Sequence, residues 1–245
     1  MKQFILFVCF FLYSTNLFSE IDEICGIWIN YNFYVSLKEN KSLQKAYSSS
    51  NSYPNYNIQK VRKDSIIVLL SDFHDCGVDA YNRINADGNS IQLTNSYYNS
   101  NISFKILNEK IDNFEIIEIN GYKYIQIDQF ESDYTYEKYI NKINSTIQTF
   151  TNHILFVSNY YTQSGDTVKI DKDCYLTNIS KNYKLKLNFD FEFFEMDYDH
   201  VMTDKKEYPI LAFNFKNNKL FFYKVTYKNN KYIKSKRALF ILTKY

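Results

Sequence analysis

The strongest constraint on this chain is a pair of alternating runs around one tight-turn signal. Phe114-Glu-Ile-Ile-Glu-Ile and Tyr122-Lys-Tyr-Ile-Gln-Ile stand on either side of Asn120-Gly121. Period-two alternation sends successive side chains to opposite faces of a strand, and an Asn-Gly pair supplies the two positive φ angles of a tight hairpin. The same pattern recurs through the chain. Strands are expected near Ile58–Arg62, Ser65–Leu70, Ala80–Ile84, Ser90–Thr94 and Ser103–Leu107, with Asp87-Gly88 as a second turn. Further strands are expected over Ile154–Asn159, Val168–Asp171, Tyr183–Phe194, Tyr198–Met202, Pro209–Phe215, Leu220–Tyr227 and Ser235–Thr243. Two Lys-Asn-Asn-Lys segments, Lys216–Lys219 and Lys228–Lys231, read as successive hairpin turns, because Asn tolerates the left-handed conformation. They make the C-terminal third a three-stranded meander.

Composition agrees with an all-β chain. The 24 Tyr and 21 Phe among 245 residues favour a pleated, half-buried surface, and Asn, Lys, Ile and Tyr are also what an AT-rich genome over-uses. Only five glycines occur, no two closer than eleven positions, so neither a Rossmann fingerprint nor a phosphate-cradling loop can be written. A net charge of +2 gives no electrostatic case for nucleic acid.

Lys2, the apolar run Phe4–Tyr13, the polar Ser14–Asn16 and the small Ser19 have the order of a cleaved secretory signal over residues 1–19. Ten apolar residues fall well short of the roughly 20 that span a bilayer as a helix. The expected compartment is therefore secreted or periplasmic. Lipid anchoring wants a small residue just before the modified cysteine, and neither Cys9 nor Cys25 has one. The cleaved chain keeps Cys25, Cys76 and Cys174, which allow at most one internal bridge and form no CxxC pair.

Two helices interrupt the strands. Phe33, Tyr34, Leu37 and Leu43 suit a helix within Tyr31–Tyr47, followed by a loop over Ser48–Asn57. Tyr136, Tyr139, Ile140, Ile143, Ile147, Phe150 and Ile154 recur at steps of three and four, predicting a helix over about 133–150 with one apolar stripe. The expected domain is a single β-rich unit over 20–245. Two β halves, 20–130 and 151–245, joined by that helix are the alternative.

Gly26-Ile27-Trp28, at the first strand of this meander-rich chain, resembles the Gly-x-Trp motif that opens lipocalins, fatty-acid-binding proteins and avidins, the calycin superfamily. The resemblance implies an antiparallel meander closed into a barrel. It also implies that Arg237, ahead of the final strand, packs across the Trp28 ring by cation–π attraction and ties the first strand to the last. The segment Asn32–Leu37 resembles the helical lid of fatty-acid-binding proteins. Gly26, Trp28 and Arg237 are thus the expected closure residues, and a small lipophilic molecule inside the barrel is the expected partner.

Other candidates carry weaker signals. Asp72-Phe-His74-Asp75-Cys76 gathers metal-capable side chains, but its spacing matches no closed zinc site and it reads better as a turn. His153 and His200 are isolated. Asp190, Glu192, Glu195, Asp197 and Asp199, with Asp204 and Glu207 beyond, could offer oxygen ligands, yet no EF-hand loop occurs. From Tyr208 onward there is no acidic residue among Lys216, Lys219, Lys224, Lys228, Lys231, Lys234, Lys236, Arg237 and Lys244, which suggests charge pairing between acidic and basic strands. No nucleophile elbow, zincin helix or carboxylate pair is present, so no cofactor, metal or enzymatic activity is expected.

The sequence therefore points to a secreted or periplasmic lipocalin-like protein that binds a small apolar ligand without catalysis. A structural or surface-interaction protein of the cell envelope, its barrel filled by its own side chains, is the alternative. An outer-membrane barrel is a third reading, supported by the terminal Tyr245 and opposed by the lysines and carboxylates that interrupt most strands.

Overall fold

The computed structural model describes residues 22–62, 65–71, 76–81, 83–87, 89–95, 100–129, 136–178, 184–188 and 196–245. The segment 1–19 expected to be a secretory signal, the Asp72–Asp75 part of the metal candidate, Gly88, and Asp190, Glu192 and Glu195 lie outside them. The described residues divide into two compact units, one lying within 1–32 and 50–143, the other within 33–49 and 144–245. Each unit carries its own nine-stranded antiparallel sheet. One barrel running from the first strand to the last is not what forms.

The first unit contains β1 (Gly26–Asn30), β2 (Asn55–Arg62), β3 (Ser65–Ser71), β4 (Cys76–Tyr81), β5 (Arg83–Asp87), β6 (Ser90–Asn95), β7 (Ser100–Ile111), β8 (Phe114–Ile119) and β9 (Tyr122–Asp128). Their order is β4-β3-β2-β1-β9-β8-β7-β6-β5. The outermost strands β4 and β5 are separated in sequence by residue 82 alone, so Tyr81 and Arg83 are within about 8 Å by chain geometry. β4 also approaches β6, which shows how far this sheet curls. Alternation then decides what each face carries. Trp28, Tyr56, Ile58, Ile91, Leu93, Ile102, Phe104, Ile117, Ile119 and Tyr124 meet in one buried cluster on the inner face. Ser90, Gln92, Ser103 and Lys105 take the intervening outward positions.

The turns behave as Asn chemistry dictates. Asn120 (φ +49°) and Gly121 (φ +86°) close β8 on β9, with Ile119 opposite Tyr122. Asp112 and Asn113 (φ +50° and +71°) do the same between β7 and β8.

The helix after β1 is two helices, α1 (Tyr31–Asn40) and α2 (Leu43–Ser49). Lys41 adopts φ +51° and its N–H donates to the Leu37 carbonyl at 3.1 Å, ending α1. Ser42 restarts the helix, its carbonyl accepting from Ala46 N–H (3.1 Å) and its Oγ from Lys45 N–H (3.3 Å). The loop expected over Ser48–Asn57 is accordingly shorter. α2 runs to Ser49, and β2 begins at Asn55.

The long helix α3 (Tyr136–Leu155) extends five residues past its expected end at 150, so β10 starts at Ser158 rather than Ile154. In its described part the stripe residues Ile143 and Ile147 are buried and Phe150 and Ile154 half-buried, and Leu155, outside the stripe, is buried as well. The second unit continues with β10 (Ser158–Tyr161), β11 (Thr167–Ile170), β12 (Tyr175–Thr177), β13 (Lys184–Asn188), β14 (His200–Thr203), β15 (Ile210–Lys216), β16 (Lys219–Lys228), β17 (Lys231–Lys234) and β18 (Phe240–Lys244). Their order is β15-β14-β13-β12-β11-β10-β18-β16-β17, and β15 also pairs with β16, so the ladder returns on itself. The Asn217-Asn218 and Asn229-Asn230 turns both have positive φ at each residue. Of the strand expected over Ser235–Thr243 only the part from Phe240 forms, as β18, and β17 lies just ahead of it; both pair with β16.

Phe156 centres the interior of this second sheet. Its ring lies 4.9 Å edge-on from Phe213, 6.0 Å from Phe215 and 6.0 Å from Phe222. Its carbonyl accepts the buried Tyr160 hydroxyl at 2.7 Å.

Candidate functional site

Gly26 and Trp28 occupy the corner where β1 meets β9. Gly26 has φ +153°, and a Cβ there would lie 2.5 Å from the Asp128 carbonyl oxygen and 2.8 Å from Gln126 Nε2, so only glycine fits. The β1–β9 register slips between Ile27 and Trp28, which turns the strand at this point. Trp28 is 1% exposed, and its indole N–H donates to the Ile24 carbonyl at 2.7 Å. Gln126, opposite Trp28 across the ladder, donates its amide to the Cys25 carbonyl at 3.2 Å. The motif therefore folds the chain entry against the sheet and fills the interior with an indole.

Arg237 is the third residue of the expected closure. It is exposed, lies between β17 and β18, and belongs to the second unit whereas Trp28 belongs to the first. A strand has two edges, and both edges of β1 are taken, one by β2 and one by β9. β18 pairs with β10 and β16 instead. Within the first unit β1 lies in mid-sheet between β2 and β9.

Inside the first sheet the aromatic side chains pack on one another. Tyr56 stands edge-on to Tyr124 at 5.1 Å, and Tyr53 edge-on to Tyr56 at 5.7 Å. The Tyr124 hydroxyl donates to the Tyr53 carbonyl (2.9 Å) and reaches Ser52 Oγ (3.1 Å). Burial, with neighbouring phenols second for Tyr56, pushes the hydroxyls of Tyr56 and Tyr124 above the ordinary tyrosine range. Burial alone does so for Tyr160 in the second unit.

A constellation the sequence did not flag lies on the outer face of the second sheet. Lys234 Nζ sits 5.3 Å from the Tyr198 ring centroid and 5.0 Å from that of Tyr223, so one ammonium is shared by two tyrosine faces. Beneath it Met196, Ile210, Ala212 and Val225 form a small buried cluster, with Met202 and Tyr232 at its rim. His200 faces the same side, its Nδ1 3.4 Å from the Tyr198 carbonyl. The residues spanning 196–199 are held by α2, where Gln44 N–H donates to Asp199 Oδ1 at 3.0 Å and Gln44 Nε2 to the Met196 carbonyl at 2.6 Å. Asp199 is thus committed to a backbone amide. Finding this clasp from sequence would have required knowing that Val225 stands opposite Lys234.

The remaining candidates stay apart. Cys25 and Cys174 are buried in different units, and the Cys76 side chain lies outside the described residues. Among the described residues no three His, Cys, Asp or Glu side chains gather as a metal site, and no helix is long and apolar enough to cross a membrane. Acidic-to-basic pairing is found in the first sheet, where Lys110 meets Glu115 and Lys123 Nζ lies 2.9 Å from Glu109. A cavity of about 400 Å³ at β6, β7 and β8 is bordered by Ser90, Ile91, Gln92, Ser103, Phe104, Lys105 and Glu118.

Comparison of the chain with family models, with curated proteins and with solved structures finds no match in any of the three. What the coordinates define is therefore a class: an antiparallel β protein of two curled sheets with few helices.

Proposed function

We propose that the protein is a non-catalytic interaction protein of the cell envelope, with each curled sheet a small barrel filled by its own side chains and its work done on the outer surface. The observation that carries this reading is how the interiors are occupied. Trp28, Tyr124, Phe104, Tyr160, Phe156 and Phe222 are among the largest side chains in the molecule, and all are at most 1% exposed. An apolar-ligand carrier needs interior positions left open, on the scale of roughly 300–1,000 Å³. Here the described inward-facing positions of the first sheet carry Trp28, Tyr56, Phe104 and Tyr124 packed in one buried cluster. The envelope setting rests on the order of charged, apolar and small residues in the leader.

Titration with a fluorescent long-chain fatty acid, followed by energy transfer from Trp28, tests the reading. A filled interior gives no saturable transfer. One saturable site, displaced by unlabelled fatty acid, would restore the apolar-ligand carrier as the better account.

A further inference from the structure

The β16–β17 hairpin presents basic and apolar side chains together at an exposed tip. Period-two geometry puts Lys224, Thr226 and Lys228 on one face of β16. Across the ladder Lys228 stands opposite Lys231, and Thr226 opposite Ile233. That face thus carries three exposed lysines around an Ile233 that is 48% exposed. On the reverse face Tyr227, 63% exposed, leans on Tyr232 with ring centroids 4.9 Å apart. Like charges directly opposite one another oppose strand pairing, and no acidic residue occurs after Glu207 to relieve them.

We propose that this hairpin tip docks the protein onto an anionic phospholipid surface. The inference rests on the reading of the protein as one that acts through its exterior, and it names the partner. Three lysines within a few ångströms of a bilayer meet the negative headgroups, while an exposed isoleucine and a tyrosine suit the headgroup–acyl boundary. Lysine stems reach outward and leave the ammonium groups at headgroup level. A single-stranded nucleic acid would be served by open aromatic faces on which bases stack. In this hairpin Tyr227 and Tyr232 are turned onto each other at 53°, and the apolar group between the lysines is aliphatic.

Co-sedimentation of the purified protein with vesicles tests this. Two vesicle types suffice, pure phosphatidylcholine and equal parts phosphatidylcholine and phosphatidylglycerol. Selective binding to the mixed vesicles is expected. It should weaken steeply as the Debye length shrinks from about 30 Å to about 8 Å between low and physiological salt. Each lysine near such a surface strengthens binding about fivefold, so the Lys228→Gln/Lys231→Gln double variant should bind about 25-fold more weakly. Ile233→Ser should lose the part of the binding that survives added salt. All three side chains are exposed, so no variant should lower the unfolding midpoint, and the double variant, relieved of the Lys228–Lys231 repulsion, should raise it slightly. The variants share every other residue with the wild type, so any contribution of the apolar leader cancels. Equal binding to both vesicle types, unchanged binding by the double variant, or displacement of the vesicles by a single-stranded oligonucleotide would overturn the proposal. A fatty acid found inside the protein would overturn the filled interior and leave this vesicle result standing.

Discussion

Gly26 approaches Asp128 so closely that a single added methyl would press to 2.5 Å from the Asp128 carbonyl oxygen, while the Gly26 backbone holds φ +153°. Backbone strain and overpacking then act at one position. Gly26→Ala is expected to destabilise the first unit by roughly 2–5 kcal/mol. A lower urea midpoint with an unchanged slope checks it. Gly165→Ala is the matched control. That residue also has positive φ, but nothing lies within 4 Å of the added Cβ, so the loss should be the smaller one of conformation alone, about 1 kcal/mol.

Trp28 is the only tryptophan, which makes its fluorescence a local report on the β1–β9 corner. A 1% exposed indole bonded to the Ile24 carbonyl should emit at short wavelength and resist aqueous quenchers until the first unit unfolds. Trp28→Phe leaves that buried carbonyl without its donor and a gap beside it. A loss of about 2–4 kcal/mol in chemical denaturation is expected.

Stability should fall in strong base. Burial raises the hydroxyl pKa of Tyr56, Tyr124 and Tyr160 above the unfolded value of about 10. The folded state then binds more protons than the unfolded state above that pH. The contribution is fully present below about pH 10 and is lost as pH rises toward the folded pKa, at about 1.4 kcal/mol per pH unit for each such tyrosine. Phenolate absorbance followed through an alkaline titration should show an early class of exposed tyrosines and a late class that ionises only with loss of structure. A single class with ordinary behaviour would contradict the packing of these rings.

The ammonium of Lys234 between Tyr198 and Tyr223 is a solvent-facing clasp, so its worth is modest. Lys234→Met should lower stability by about 1 kcal/mol, whereas Lys234→Arg should retain most of the wild-type value. The double cycle with Tyr198→Leu measures the coupling directly, and additive losses would show that the clasp contributes nothing.

Local rules were readable and distant ones were not. Asn120-Gly121 and both Lys-Asn-Asn-Lys turns announce themselves, because positive φ is a property of the turn residues alone. β8 and β9 accordingly have the bounds expected of them. Which strand lies beside β1 depends on pairings across the whole sheet, and alternation is silent on that. The Gly26–Trp28 motif marked a real corner, and Gln126 on β9, which stands opposite Trp28 there, carried no signal in the sequence. The α1–α2 break rests on a left-handed Lys41, a conformation lysine does not advertise. The tyrosine clasp around Lys234 escaped for the same reason as the β1 partner, since Tyr198 reaches it from outside the hairpin.

The most direct test of the central claim, two sheets filled by their own side chains, is native mass spectrometry of the protein purified without detergent, before and after organic extraction. The account expects one mass, equal to the polypeptide alone and unchanged by extraction. A discrete additional mass that extraction removes would contradict it.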